Sequence, residues 1–328
     1  MVSISAIILN WNGINHLNDC LNSLKAQIFR DFEVVLVDNG SCDGSVEFIR
    51  EHFPWVHLVA LPENVGFAEG NNLGLLKASG KYIVTLNNDT KVEPEFLGEL
   101  LKPAVENPLV GMVAAKMLNF FETDRLDSIG IRATTAGMGV NVGVGEQDLG
   151  IYDVPVEVFG ACAGAALYRK KMLDEIGFFY GDFFAYYEDL DLAWRGRIAG
   201  WKAVTAPSAV AYHVHSSTSG RMSPFTVYHV HRNKWYVLLK NWPAALIMRH
   251  LCIVLVYDAA SLLLAALRGR LLPALRARMH LLRDLPVLLQ KRGDVARMRK
   301  VSSAEISQLL GPVASPFRTF FRKMGSGV

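Results

Sequence analysis

Cysteine is scarce in this chain of 328 residues, and its positions argue against two kinds of stabilised fold. The four cysteines are widely scattered: Cys20, Cys42, Cys162 and Cys252. No two have the spacing of zinc ligands, and they do not suggest a disulfide framework. We therefore expect four reduced thiols, with neither a structural zinc ion nor a disulfide-stabilised fold.

Signals of secretion are also missing. Met1 leads almost directly into an apolar segment, Ile4 to Leu9, with no basic region before it and no small-residue cleavage site after it. We expect no signal peptide and a cytoplasmic body.

The sequence lacks the dinucleotide-binding fingerprint G-x-G-x-x-G. Gly66, Gly70 and Gly74 are four residues apart, and a second glycine cluster at 137–145 does not have the required spacing either. A nicotinamide-dependent dehydrogenase is therefore disfavoured. The glycines at 66–74 nevertheless open a predicted helix, where main-chain amides can face an anion.

Positive charge is scarce in most of the chain and concentrated at its end. Residues 1–241 contain 20 basic and 27 acidic side chains, whereas the Leu-rich residues 242–328 contain 14 basic and 4 acidic ones. Few aromatic residues accompany these arginines, which argues against nucleic-acid binding. A basic, apolar segment is better suited to an anionic membrane surface.

Strand and helix patterns alternate through the first part of the chain. Apolar runs at 3–9, 34–37, 56–60, 82–86 and 110–115 predict buried strands, with helices between them. This alternation predicts an α/β fold with a mostly parallel central sheet flanked by helices. The polar loops follow the strands, at the sheet edge where such folds bind ligands.

The stretch 86–90, Leu-Asn-Asn-Asp-Thr, follows directly from the fourth apolar run. Its oxygen-bearing side chains suit a divalent cation, with Asp89 as the charged ligand. The alternative is an Asx-turn in which Asp89 caps the helix near Pro94. Taken alone, the stretch favours the turn.

Asp38 ends the second predicted strand and is followed by Asn-Gly-Ser. A carboxylate in this place suits hydrogen bonds to a ribose or a nucleobase. The same residues suit an Asx-turn equally well, so both interpretations stay open.

Residues 183–192 combine an aromatic run with three carboxylates, Glu188, Asp189 and Asp191. The acids open a helix predicted to reach Gly200, where the helix dipole alone would favour them. Aromatic neighbours would also desolvate a carboxylate and raise its pKa, as a general base requires. The local pattern does not decide between these two explanations.

Four histidines lie between residues 213 and 231. His213 and His215 alternate at a predicted strand end and therefore point to opposite faces. One of them is a candidate ligand of the cation held by Asp89, although a single histidine is more often structural.

Two stretches between the strands and the acidic cluster are irregular. Residues 120–153 are rich in glycine and weakly periodic, which predicts a hairpin excursion or a flexible flap able to close over a ligand. The small residues at 160–164 allow either the close approach of another group or tight core packing.

Together these segments resemble the family 2 inverting glycosyltransferases, which have the GT-A fold, and in particular the bacterial rhamnosyltransferase-like members that build cell-surface polysaccharides. The resemblance covers residues 3–240 and rests on five segments in order: 10–13, 38–45, 64–74, 86–89 and 187–195. It implies a nucleotide-diphospho-sugar transferase domain at 1–240, followed by a basic, helical, membrane-associating tail at 241–328.

The resemblance implies roles for single residues. Asp189 corresponds to the catalytic base, and Glu188 and Asp191 would orient it or bind the acceptor. The implied donor-binding residues are Asn10, Asp38, Asn39, Asn64, Gly66, Asn71 and Asn88.

The implied cofactor is Mg²⁺ or Mn²⁺. Asp89 corresponds to the last residue of the family's metal-binding Asp-x-Asp, whose first position is Asn87 here. His213 or His215 would be a late ligand, with His213 slightly favoured.

The implied reaction is inverting transfer of a sugar to a hydroxyl of a glycan or of a lipid-linked saccharide. dTDP-rhamnose is the favoured donor, and a UDP- or GDP-sugar is the alternative. Two other functions stay open: sugar transfer directly to polyprenyl phosphate, and a catalytically silent sugar-nucleotide or glycan-binding module. A processive polysaccharide synthase is disfavoured, because multiple spans and a Gln/Arg-x-x-Arg-Trp sequence are missing.

The tail has features of both a spanning and a surface-bound helix. Arg249 and Arg268 bound 18 mostly apolar residues, just enough to cross a bilayer, but Asp258 near their centre would be costly there. Arginines interrupt the leucines of 271–289 as in an interfacial amphipathic helix. We expect peripheral association with the inner face of the cell membrane, ahead of a soluble helical appendage or a true span.

Overall fold

The structure is a computed structural model that describes residues 2–214 and 222–313. The strands are β1 (Ile4–Asn10), β2 (Phe32–Asp38), β3 (His57–Ala60), β4 (Tyr82–Asn87), β5 (Thr90–Val92), β6 (Val110–Asn119), β7 (Leu126–Ser128), β8 (Ile131–Ala133), β9 (Gly139–Asn141), β10 (Glu157–Val158), β11 (Ala165–Arg169) and β12 (Lys202–His213). The helices are α1 (Ile14–Lys25), α2 (Ser45–His52), α3 (Phe67–Leu75), α4 (Phe96–Glu106), α5 (Lys170–Ile176), α6 (Glu188–Ile198), α7 (Pro224–Asn241), α8 (Ala244–Leu267), α9 (Leu271–Arg297) and α10 (Ser303–Gln308).

One large sheet organises the chain, in the order β10-β12-β6-β11-β4-β1-β2-β3. The half built from β3, β2, β1 and β4 is parallel, as predicted. Beyond β4 the sheet is mixed, because β11 runs antiparallel to both β4 and β6. The predicted α/β fold with a central sheet is confirmed.

Two apolar cores lie on opposite faces of this sheet, as the alternation of side chains along β1 shows. Ala6 and Ile8 pack in the core formed with α1, α2 and α4. Ile7 packs in the other core, together with residues of α5 to α9. Because a strand alternates its side chains between faces, β1 contributes to both cores.

The irregular stretch 120–153 is folded against the sheet. It contains β7, which pairs with the end of β6, and the hairpin of β8 and β9. The predicted hairpin is confirmed, whereas closure over a ligand stays a prediction.

The C-terminal helices share the core of the body. The predicted boundary after residue 240 falls at the end of α7, yet Leu246, Val254, Leu288 and Val295 beyond it belong to the larger core. The Gly311 amide also donates to the carbonyl of Ala133 (2.8 Å). Among the described helices, α8 alone is long and apolar enough to cross a membrane by length and composition.

Candidate active site

A cavity of about 440 Å³ opens at the carboxyl ends of β1 and β4. Its lining combines residues from four predicted segments with the predicted ligand His213: Asn39, Asn64, Gly66, Asn88, Asp89, Glu188, Asp189 and His213. The parallel half of the sheet brings Asn39, Asn64, Gly66, Asn88 and Asp89 together, because its polar loops all leave the same edge. Glu188 and Asp189 reach the cavity from α6 and His213 from the end of β12.

Asn10 connects the ends of three neighbouring strands beside this cavity. Its amide donates to Asp38 (2.8 Å), and its carbonyl oxygen accepts from the Asn88 amide (2.7 Å). Asp38 is buried and also accepts from the main-chain amide of Ser41, three residues further along the chain. Asn10 and Asp38 therefore support the cavity edge without lining it.

Asn39 holds the glycine-containing loop of 64–66 against the sheet. Its side chain donates to Asn64 (3.0 Å) and accepts from the Val65 amide (2.9 Å). Gly66 has a φ of +91°, and a Cβ there would lie 2.7 Å from Phe184, so this position requires glycine. Asn71 is buried one turn into α3, where its amide donates to Phe67, and it does not line the cavity.

His213 lies between two carboxylates at the end of β12. Its Nδ1 is 2.7 Å from Asp127 and its Nε2 is 3.2 Å from Asp89. The Asn87 amide lies 3.1 Å from the same Nε2. Burial alone would lower the pKa of His213, but the bonds to Asp127 and Asp89 outweigh it and raise the pKa to about 9.

The donor atoms at this point suit a hard divalent cation. Asp89 supplies oxygen and His213 an imidazole nitrogen, and the 3.2 Å between them is near the roughly 3 Å that separates adjacent ligands of an octahedral ion. The Asp127 carboxylate orients the other ring nitrogen, as second carboxylates do for metal-bound histidines. Within residues 2–214 and 222–313, no group of three or more His, Cys, Asp or Glu side chains could hold a metal by protein ligands alone. His215 lies in a part of the chain that the structure does not describe.

Glu188 and Asp189 begin α6 at the cavity. Asp189 accepts from the amides of Leu190 (2.7 Å) and Ala163 (3.3 Å), so the small residues at 160–164 do admit a close neighbour. Burial raises the pKa of Asp189. Burial and then the Asp189 charge raise the pKa of Glu188 further, well above its usual range. We therefore assign the ionised form to Asp189 and the protonated form to Glu188.

The loop before α6 has a strained main chain. Phe184, Tyr186 and Tyr187 have φ values of 62°, 69° and 72°, which non-glycine residues rarely adopt. The buried amide of Asn233 on α7 donates to the carbonyls of Phe183, Ala185 and Tyr186, at 2.8 to 2.9 Å. Helix α7 thus holds the loop that leads into Glu188 and Asp189.

Asp191 does not line the cavity. It is fully buried on the other side of α6, 2.9 Å from Arg195, 2.5 Å from Lys240 and 2.7 Å from the Asn241 amide. Burial opposes its ionisation, but Lys240 and Arg195 together lower its pKa. Its contacts are those of a residue that anchors α6 to α7.

Three further residues at the site were not identified from the sequence. Asp127 and Asn141 come from the irregular stretch 120–153, and Phe225 comes from the start of α7. All three line the cavity because distant segments pack together. The periodicity of apolar residues in the sequence does not predict such contacts.

Comparison with known proteins agrees with this geometry. Residues 5–177, just over half of the chain, match the family described as Glycosyl transferase family 2. The chain belongs to that family. Over 69% of its length it is 26% identical to the N-acetylglucosaminyl-diphospho-decaprenol L-rhamnosyltransferase of Mycobacterium tuberculosis, covering 80% of that enzyme.

Other relatives of this family 2 chain match over shorter stretches. The glycosyltransferase GlyA of Streptococcus pneumoniae is 32% identical over 105 residues, 31% of this chain and only 15% of that protein. The uncharacterized glycosyltransferase YibD of Escherichia coli is 31% identical over 32% of this chain and 31% of its own length.

Solved structures confirm the GT-A fold. GalNAc-T7, solved with UDP, GalNAc and Mn²⁺, superposes with a TM-score of 0.63 at 14% identity, over 80% of this chain and 51% of that one. The mannosyltransferase PcManGT of Pyrobaculum calidifontis, in complex with GDP-Man and Mn²⁺, superposes with a TM-score of 0.56 at 18% identity, over 90% and 86%.

Proposed function

We propose that this chain is an inverting glycosyltransferase that moves a sugar, with rhamnose favoured, from a nucleotide-diphosphate donor to a hydroxyl of a cell-surface glycan or a lipid-linked saccharide. The observation that carries the proposal is that Asp189, a carboxylate with a raised pKa, lines the same cavity as Asp89 and His213. A proton acceptor and a cation-binding pair in one cavity are the two parts that such a transfer needs.

Asp189 acts as the base in this proposal. It takes the proton of the acceptor hydroxyl while the hydroxyl oxygen forms a bond to the anomeric carbon. The bond from that carbon to the diphosphate oxygen breaks on the opposite face, so the configuration inverts and the nucleoside diphosphate leaves. Protonated Glu188 donates a hydrogen bond toward the acceptor from beside the base.

Asp89 and His213 would hold Mg²⁺ or Mn²⁺, with Asp127 orienting His213. The cation, when bound, supplies positive charge that stabilises the departing diphosphate. Because the protein offers two ligands here, phosphate oxygens and water would complete the coordination. Asn39, Asn64, Gly66 and Asn88 would contact the nucleotide part of the donor, whereas Asn10, Asp38 and Asn71 support those contacts from behind.

The names of the relatives favour particular partners. The mycobacterial relative is a rhamnosyltransferase whose name gives a lipid-linked diphosphosugar as its acceptor, which supports rhamnose as the transferred sugar and a lipid-linked saccharide as the acceptor. We favour dTDP-rhamnose as the donor. A UDP- or GDP-sugar is the alternative, since the structural neighbours were solved with UDP or GDP-Man. A lipid-linked acceptor places the enzyme on the inner face of the cell membrane.

A thermal-shift panel of dTDP-, UDP- and GDP-sugars, with and without Mn²⁺, tests the proposal. We expect dTDP-rhamnose with Mn²⁺ to raise the melting temperature most, because a ligand that binds only the folded state stabilises it. Transfer from that donor should then be seen on a lipid-linked acceptor. A protein stabilised by none of the donors would overturn the proposed function.

A further inference from the structure

We propose that α8 and α9 form a membrane-docking surface that lies on a bilayer containing anionic lipids, with α8 in the plane of the bilayer and not across it. The inference deepens the proposed function, on which it rests for its biological purpose. It names the surface, the orientation and the lipid charge.

The exposed side of α8 is almost entirely apolar. Its outward apolar residues are one, three, four or seven positions apart, as residues on one face of a helix are: Met248, Cys252, Leu255, Val256, Leu263 and Leu267. Leu263 is 55% exposed and Leu267 62% exposed. From Cys252 to Leu267 the outward positions carry no charge. A continuous apolar stripe of this kind marks an interaction surface.

The exposed side of α9, which follows the turn at 268–270, carries a second apolar stripe. Leu272, Leu275, Met279 and Leu282 again recur at helical spacing and are exposed. Arg276 and Arg283 follow along one edge of the same side and are exposed as well. An apolar stripe bordered by arginines is the pattern of a helix that lies at a membrane interface.

Asp258 fixes α8 to its neighbours from the opposite side. This buried carboxylate, near the middle of α8, accepts from Trp235 on α7 (2.9 Å) and from Arg278 on α9 (2.7 Å). Lys234 of α7 lies 3.7 Å away. Crossing a bilayer would separate α8 from these partners and place an unpaired carboxylate in hydrocarbon, which is costly. The structure therefore assigns α8 to the membrane surface.

Charge favours a lipid surface over a second copy of the chain. Residues 244–284 contain six arginines and two acidic residues, of which Asp258 pairs with Arg278 and Asp284 with Arg283, so these helices carry an excess of four positive charges. A two-fold symmetric dimer through this surface would bring the same patch, with its arginines, face to face. Anionic headgroups instead attract the arginines while the leucines enter the interface.

Vesicle binding by the full-length protein tests the docking surface. We expect co-sedimentation with vesicles of phosphatidylcholine and phosphatidylglycerol in equal parts, and at least about tenfold weaker binding to phosphatidylcholine alone. Leu263→Glu should weaken binding to the mixed vesicles by about tenfold or more. Leu76→Glu, at a 77% exposed leucine outside this surface, should leave vesicle binding unchanged.

Protease added outside the vesicles distinguishes the two orientations. An in-plane α8 leaves no protected fragment, whereas a protected C-terminal fragment would overturn the in-plane orientation. Equal binding of wild type and Leu263→Glu would overturn the surface. A Leu263→Glu variant that loses dimers in sedimentation velocity and keeps its vesicle binding would assign the surface to a second copy.

Transfer to a water-soluble acceptor, without vesicles, separates this inference from the proposed function. Wild type and Leu263→Glu should transfer equally there. Vesicle binding with no transfer to any acceptor would contradict the proposed function and leave the docking surface intact.

Discussion

The side-chain amide of Asn233 lies 2.8 Å from the carbonyl oxygen of Tyr186, 47 residues earlier in the chain. Tyr186 and Tyr187 both have left-handed backbone conformations, each of which costs about 1–3 kcal/mol. The bond to Asn233 offsets part of that cost. It connects α7 to the loop that leads into Glu188 and Asp189 at the cavity.

Replacing this amide should therefore impair both stability and transfer. We expect Asn233→Ala to lower the free energy of unfolding by about 2–3 kcal/mol, since a buried donor to three carbonyls is lost. Under conditions where the variant stays folded, kcat should fall about 10-fold or more while the KM for the donor changes little. Denaturant titration and initial rates measure these effects. The exposed Asn22→Ala should change neither, and an unaltered kcat in Asn233→Ala would contradict the positioning role.

The sequence predicts the parallel half of the site well, because the needed information is local. Each buried strand there is an apolar run, and each polar loop follows its strand directly. Asn10, Asp38 and Asp89 are therefore assigned to one sheet edge by the sequence pattern alone, and the fold places all three there.

The rest of the site depends on contacts between distant residues. Asp127 reaches His213 because β7 pairs with β6, and β6 pairs with β12. Its own neighbourhood is glycine-rich and aperiodic. Asp191 has the same local pattern as Asp189, and only the packing of Lys240 against it reveals a different role. Neither the contact of Asp127 with His213 nor the role of Asp191 can be inferred from the spacing of residues in the sequence.

Asp191→Asn should destabilise the fold. The substitution leaves Lys240 buried without a countercharge, for which we expect a loss of about 3–5 kcal/mol in the free energy of unfolding. The pKa of Asp191 is lowered in the folded state, so its contribution to stability depends on pH. That contribution is present above the pKa of the unfolded state and is lost as pH falls through the folded-state pKa. Denaturant titration against pH measures both. Asp174, whose side chain is 62% exposed, forms an ion pair with Lys170. Asp174→Asn should lower the free energy of unfolding by less than about 1 kcal/mol. A similar small loss in Asp191→Asn would show that the buried network contributes little.

Glu188 and Asp189, the two carboxylates of α6 that line the cavity, should respond differently to neutralisation. Since burial and then the Asp189 charge raise the pKa of Glu188, Glu188→Gln imitates the protonated acid already present. We expect that variant to keep transfer within about tenfold of wild type. Its activity should fall on the acid side at the same pH as in wild type, above the ordinary range of aspartate, because Asp189 titrates there. Rate–pH profiles measure this, and an acid limb that shifts in Glu188→Gln would reassign the titration to Glu188.

Glu188 should also make stability depend on pH. A raised folded-state pKa gives a contribution that is complete below the unfolded pKa and is lost as pH rises through the folded value. Melting temperatures of wild type should therefore fall relative to Glu188→Gln as pH increases. Parallel curves for the two proteins would contradict the raised pKa.

Transfer should require a divalent cation, and the affinity for that cation should depend on His213 and on Asp127, which orients it. Removal of divalent cations by a chelator should abolish transfer, and added Mn²⁺ should restore it. Asp127→Asn, which weakens the orientation of His213, should raise the Mn²⁺ concentration for half-maximal activity by about 10- to 100-fold. Asp153→Asn, at an exposed carboxylate outside the cavity, serves as the control. Transfer that is indifferent to chelation would remove the metal from the mechanism.

Asp189→Asn shows whether Asp189 is the base of the transfer, when transfer and donor binding are measured on the same protein. The substitution keeps the shape of the side chain and removes the proton acceptor, so we expect transfer to fall by about 10³-fold or more. Thermal stabilisation by the donor should stay close to that of wild type, because Asp89 and His213 are unchanged. Near wild-type transfer by Asp189→Asn would exclude Asp189 as the group that takes the proton of the acceptor hydroxyl.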